Sequence, residues 1–139
     1  MKLLHGSKDI LDRNLSVLER QDPRFVEELL RENEAEEAVD VFQSRTGEPT
    51  MRQGGQLLHS KFDPEREAGR LARHSRAAEP DRPRDATLLF GFGLGYHLEA
   101  FLADGEEPII VVEPSASRFL TALAHRDLTL PLSNPRTSL

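Results

Sequence analysis

The sequence predicts an α/β protein: a partial parallel sheet with helices in the C-terminal half, preceded by N-terminal helices and a small antiparallel meander. Three observations carry the parallel unit. Residues 86 to 90 (ATLLF) and 109 to 112 (IIVV) are short, nearly unbroken apolar runs, as expected of parallel strands covered on both faces. Gly91, Gly93 and Gly95 fall at alternate positions after the first run, and Tyr96 to Ala103 then reads as a helix stopped by Gly105. The second run ends on Glu113, about 20 residues past the glycines, where dinucleotide-type folds place a ribose-binding carboxylate. Together these make a Rossmann-like strand-loop-helix-strand unit. Pro114 and Ser115 then open another helix, with Phe119, Leu120 and Leu123 on its inner side.

The elements before that unit follow from periodicity and capping chemistry. From Ser7 to Arg20, Ile10, Leu11, Leu15 and Leu18 share one helical face. Asp22-Pro23 sets a capping acid before a proline at the first helical position, and Phe25, Val26, Leu29 and Leu30 supply the next buried face. Glu32 to Glu37 is acidic and polar, a solvated helix end or loop. Between Ala38 and His59 the pattern changes to β-branched and aromatic residues punctuated by Thr46-Gly47-Glu48-Pro49 and Gly54-Gly55, which predicts the meander. Asp63-Pro64 starts a third helix whose apolar face, Ala68, Leu71 and Ala72, is narrow enough that most of the helix is expected in solvent. Residues 77 to 85 (AAEPDRPRD) are polar with two prolines and read as a linker. The expected organisation is therefore residues 1–76, helices and meander; 77–85, linker; 86–139, the Rossmann-like unit.

Composition narrows the function. In 139 residues, 37% are hydrophobic and 30% charged, with a net charge of -6, which describes a mildly acidic soluble protein. Basic residues are interspersed with acids, there is one Tyr and no Trp, and nucleic-acid binding is not expected. The lack of cysteine removes disulfides, thiolate metal sites and cysteine nucleophiles. His5, His74 and His125 have no metal-like spacing, so no metal site is expected. No apolar run has the length of a membrane span and the Met1-Lys2 start carries no signal-peptide core, so the expected location is cytoplasmic.

The candidate ligand-facing residues are Gly91, Gly93, Gly95, Tyr96, His97 and Glu113. Glycines permit positive φ and close backbone approach, and a helix N-terminus favours an anionic or strongly polar group. A nucleotide-type ligand is the expectation, with no catalytic residue assigned. The competing reading is that the glycines serve tight packing and Glu113 caps the next helix. His59, Ser60, Lys61 and Asp63 read as a structured connector, with Asp63 as an N-cap, rather than as a nucleophilic cluster.

The loop type bears on the ligand. A nicotinamide GxGxxG fingerprint would need glycine at Tyr96. The GxGxG form is similar to the first motif of S-adenosylmethionine-dependent methyltransferases, with Glu113 corresponding to the acid that holds the ribose hydroxyls. Those enzymes usually carry an acid two residues before the first glycine, and here Leu89 stands there.

Four motifs in order resemble the N-terminal part of the motility-associated factor (Maf) glycosyltransferases. They are residues 44 to 50 (SRTGEPT), 58 to 64 (LHSKFDP) with Glu67-Ala68, 90 to 97 (FGFGLGYH) and 112 to 114 (VEP); the tail from Arg126 to Arg136 is similar as well. The resemblance runs from about Ala38 to the end. It implies transfer of nonulosonic sugars, of pseudaminic or legionaminic type, from CMP-activated donors to Ser or Thr of flagellin by the full-length family. The central domain implied to carry that chemistry would follow this segment, so the chain reads as an isolated, truncated N-terminal domain that is itself noncatalytic.

Two functions therefore stand. One is an accessory domain of a Maf-like transferase, offering a ligand cleft for a nucleotide-type molecule such as a CMP-sugar, or a docking surface. The other is a methyltransferase-like small-molecule enzyme binding S-adenosylmethionine. Only two parallel strands are convincing in the sequence, and an open sheet edge is expected to pair with a second copy, as a homodimer, or to be covered by the meander.

Overall fold

The protein is described by a computed structural model covering residues 1–32 and 38–139. The acidic stretch that follows Glu32 lies outside the described residues.

Local signals explain the first helices. α1 spans Lys8–Gln21, with the Ser7 hydroxyl accepting from the Ile10 amide at its start. α2 spans Pro23–Glu32, and the Asp22 carboxylate accepts from the amides of Arg24 and Phe25 at 3.0 and 3.2 Å. Both helices turn apolar residues inward: Val17, Leu18, Val26 and Leu29 are buried. The α1 face also includes Asn14, which is fully buried yet satisfied. Its amide nitrogen donates to the carbonyls of Leu123 and Arg126, both at 2.7 Å, and its oxygen accepts from the Leu128 amide at 2.9 Å. One polar side chain thus ties the N-terminal helix to a chain reversal more than a hundred residues later.

The meander forms as β2 (Val39–Gln43), β3 (Pro49–Gln53) and β4 (Gln56–Leu57). A two-residue β1, Leu3–Leu4, joins its edge, giving an antiparallel sheet in the order β1-β2-β3-β4 with Val41 opposite Met51. Two residues are too few to show an alternation, so β1 had no signature in the sequence. α3 (Pro64–Ala77) is capped by Asp63 and buries Pro64, Ala68 and Ala72, packing on α4 through its small-residue face.

The parallel unit is β5 (Thr87–Phe90), α4 (Tyr96–Ala103), β6 (Ile109–Val112), α5 (Ala116–His125), α6 (Thr129–Ser133) and β7 (Thr137–Ser138). Its sheet has the order β5-β6-β7, all parallel. β7 corrects the expectation of two parallel strands. Nothing apolar marks it; its register is set by Arg136, whose carbonyl accepts from the Ile109 amide at 2.7 Å. The Arg136 guanidinium donates to the carbonyls of Leu102 and Gly105, each at 2.6 Å. The meander stays a separate sheet and does not pair with β5. One continuous core nevertheless runs from Val17 on α1 through Met51 and Tyr96 to Leu132 on α6, across the proline-rich linker.

The parallel sheet is covered on one face only, whereas its apolar strands led us to expect cover on both. Ile109 and Val111 are 0% and 3% exposed on the covered face. Leu88, Phe90, Ile110 and Val112, alternate residues of the same strands, are 65%, 77%, 44% and 40% exposed. Right-handed β-α-β connections place α4 and α5 on the same side, which leaves the other side bare. Among the described residues no helix is long and apolar enough to cross a membrane.

Candidate functional site

The loop leaving β5 is where the sequence placed a ligand, and its backbone has the expected shape. Gly91, Gly93 and Gly95 have φ of +96°, +55° and +84°, the left-handed region that disfavours side chains. Gly95 is the N-cap of α4 and supplies no side-chain cap. Where the loop's own amides point decides what it can hold. The Gly91 amide donates to the Val112 carbonyl at 2.7 Å, and the Gly95 amide to the Phe92 carbonyl at 2.9 Å. The Phe92 and Gly93 amides donate to Glu113 Oε2 at 2.8 and 3.4 Å, and the Leu94 amide donates to His59 Nε2 at 2.9 Å. All five amides from Gly91 to Gly95 are engaged by the protein itself.

Glu113 is the centre of this closure. Its second oxygen accepts from the Ser115 amide at 2.9 Å and pairs with the Arg118 guanidinium at 3.0 Å. A carboxylate has about four acceptor positions. Here four donors converge on them, and the group that would face ribose hydroxyls instead staples the glycine loop to the start of α5. Ser115, not Glu113, provides the side-chain cap of that helix, accepting from the Arg118 amide at 3.1 Å.

His59 is brought to the loop from the meander-α3 connector. Because the Leu94 amide donates to Nε2, that nitrogen must offer a lone pair, and the neutral ring carries its proton on Nδ1. Nδ1 is buried with no hydrogen-bond partner. Burial, then the neighbouring His97 and Arg126, push the His59 pKa down to about 4. His97 stacks on it at 5.8 Å between centroids and is likewise lowered, chiefly by burial. Both rings are neutral at neutral pH, and the lone pair of His59 is already in use.

Of the expected site residues, Gly91, Gly93, His97 and Glu113 line one cavity of about 210 Å³, together with Leu58, His59, Phe90 and Arg118. That is smaller than a typical ligand pocket of about 300 Å³ or more. Gly95 and Tyr96 do not reach it. A side chain at Gly95 would meet Leu128 and Phe92. Tyr96 is buried, donates its hydroxyl to the Pro49 carbonyl at 2.7 Å and carries the Arg126 guanidinium 3.9 Å over its ring. Sequence reasoning missed His59, Arg118 and Arg126 as loop partners; no spacing rule relates them to the glycines. The one available signal for His59 was that a histidine sits at the end of the meander, next to the Ser60 turn that leads into α3.

That turn is itself closed: the Ser60 amide donates to Glu67 at 2.9 Å, and the Ser60 hydroxyl accepts from the amides of Phe62 and Asp63 at 3.1 and 3.2 Å. Ser60 is thus a turn former. Among the described residues no group of His, Asp and Glu is placed to hold a metal ion.

A family model described as the glycosyltransferase Maf N-terminal domain matches residues 57–132, which is more than half of the chain and contains the loop, His59 and Glu113. The chain belongs to this family. The fold of this Maf N-terminal domain is also similar to that of a solved Maf glycosyltransferase from Magnetospirillum magneticum AMB-1, at 17% identity with a TM-score of 0.65. That match covers 93% of this chain, and the chain spans 26% of the length of that protein. No curated protein matches the sequence. The protein is thus an accessory N-terminal domain of a Maf-like glycosyltransferase.

Proposed function

We propose that this Maf N-terminal domain is a noncatalytic module whose open sheet face packs against the sugar-transferring part of a longer transferase. The observation that carries the reading is the bare layer of Leu88, Phe90, Ile110 and Val112, large apolar side chains on a parallel sheet of a kind that is normally helix-covered on both sides. The closed glycine loop supports it from the other side, since its amides and Glu113 are spent on internal contacts. In this reading the occupant is helical structure completing the second layer of the α/β sandwich. The donor, a CMP-activated nonulosonic sugar, and the acceptor, flagellin Ser or Thr, are handled by the catalytic part. A cytoplasmic location belongs to the same proposal and is checked by cell fractionation.

Hydroxyl-radical footprinting tests it. Leu88, Phe90, Ile110 and Val112 should be labelled in the 139-residue chain and protected in a transferase that contains it. Equal labelling in both would overturn the reading. Protection already in the isolated chain, with doubled mass by light scattering, would make a second copy the occupant and favour a homodimer. Sugar transfer by the isolated chain would overturn the noncatalytic assignment.

A further inference from the structure

A second surface is open for a different reason. A groove of about 1010 Å³ runs along α3, with Leu58, Phe62 and Leu71 as apolar lining and Arg66, Arg70 and Arg73 among its charged lining. The three arginines occupy positions i, i+4 and i+7 of one helix and are exposed, and none has an ion-pair partner among the described residues. This is not a general property of the helix: Arg76, one turn on, pairs with Glu107 and Asp104, both at 2.7 Å. Asp63 and Glu67 line the same groove, but they accept from the amides of Arg66 and Ser60 and form no ion pair with the row among the described residues. Like charges three and four residues apart on one stripe repel, so the row raises the energy of the free helix. It does so in a chain whose net charge is -6.

We propose that this groove binds an acidic, amphipathic segment of a partner protein, its carboxylates on the Arg66-Arg70-Arg73 row and its apolar side chains against Phe62 and Leu71. Charge complementarity points to the acids. The choice of a protein segment over a small anion rests on the lining. No arginine in the row is buried, so a free phosphate would stay hydrated there. Phe62 and Leu71, 54% and 48% exposed, call for an apolar counterpart. The groove shares Leu58 and His97 with the loop cavity, so a bound segment would run past the stacked histidines.

The probe is a fluorescein-labelled helical peptide with Glu at i, i+4 and i+7 and Leu on the adjacent stripe, titrated with the 139-residue chain by anisotropy. Saturable binding is expected, weakened by salt and by Phe62→Ser with Leu71→Ser. Charge reversal of the row (Arg66→Glu, Arg70→Glu, Arg73→Glu) should weaken it by about tenfold or more. The triple Lys variant should retain most of it, and Leu130→Ser, at an 82% exposed position on α6, should leave it unchanged. Circular dichroism confirms that each variant folds. The proposal is overturned if the peptide does not bind, if the charge-reversed chain binds it as well as the native one, or if pyrophosphate or CMP displaces it at concentrations equal to its own.

Discussion

The two faces of the parallel sheet are built from the same eight residues of β5 and β6 and have opposite fates. Thr87, Leu89, Ile109 and Val111 point toward α4 and α5; Leu88, Phe90, Ile110 and Val112 point to solvent. The open face is the more apolar of the two, since the covered one includes Thr87. Residue type therefore does not decide burial here. Topology does: both crossovers are right-handed, so both helices land on one side. What separates the faces is the presence of a neighbour, and the open one is for that reason the surface we propose a partner covers.

Substitutions on opposite faces give the largest contrast. Ile109→Ala removes a fully buried side chain and should cost about 2 to 5 kcal/mol, read as a lower urea midpoint. Leu88→Ala, 65% exposed, should change the isolated chain by less than about 0.5 kcal/mol. If the two cost the same, the open face is already covered in solution.

The loop at the end of the covered face can be broken by a single methyl group. A Cβ at Gly93 would strike the His59 ring, and φ there is +55°. Gly93→Ala should destabilise by about 1 to 3 kcal/mol whether or not any ligand is present. Thermal denaturation of the unliganded chain checks it. A variant as stable as the parent would mean that the His59 contact is dispensable and would reopen the loop as a ligand site.

A smaller, pH-dependent effect reports the polar closures at the two ends of that face. His59 closes one end. Its folded pKa of about 4 lies below the ordinary 6.5, so the unfolded chain takes up more protons between those values, and stability falls as pH drops from about 6.5 toward 4. His97 adds in the same direction. Glu107 closes the other end. Burial disfavours its charge, but hydrogen bonds from Thr87 at 2.6 Å and Arg76 at 2.7 Å more than reverse this, and its pKa sits at about 2. That contribution is full above about 4.5 and is lost as pH falls toward 2. Glu99, raised chiefly by burial, works the other way. Urea midpoints across pH should show the upper slope reduced in His59→Ala, with the His97 part remaining, and the lower slope reduced in Glu107→Gln. Slopes unchanged in those variants would assign the acid sensitivity to other groups.

What the sequence determined by itself is local. Asp22-Pro23 and Asp63-Pro64 start helices because a carboxylate can reach amides two and three residues on, and proline gives up no needed donor. Apolar runs 86–90 and 109–112 are strands, and glycine was required where the loop turns left-handed. The order of the four motifs was enough to identify the family. Tertiary structure alone decided the rest. His59 meets Leu94 and Asn14 meets Leu128 across 35 and 114 positions, and β7 exists because Arg136 finds carbonyls at the end of α4. A long-range hydrogen bond has no period, so no reading of spacing could have found these. The same holds for Glu113: the sequence placed a carboxylate beside a glycine loop, but only the packed chain shows four donors from the protein already filling it.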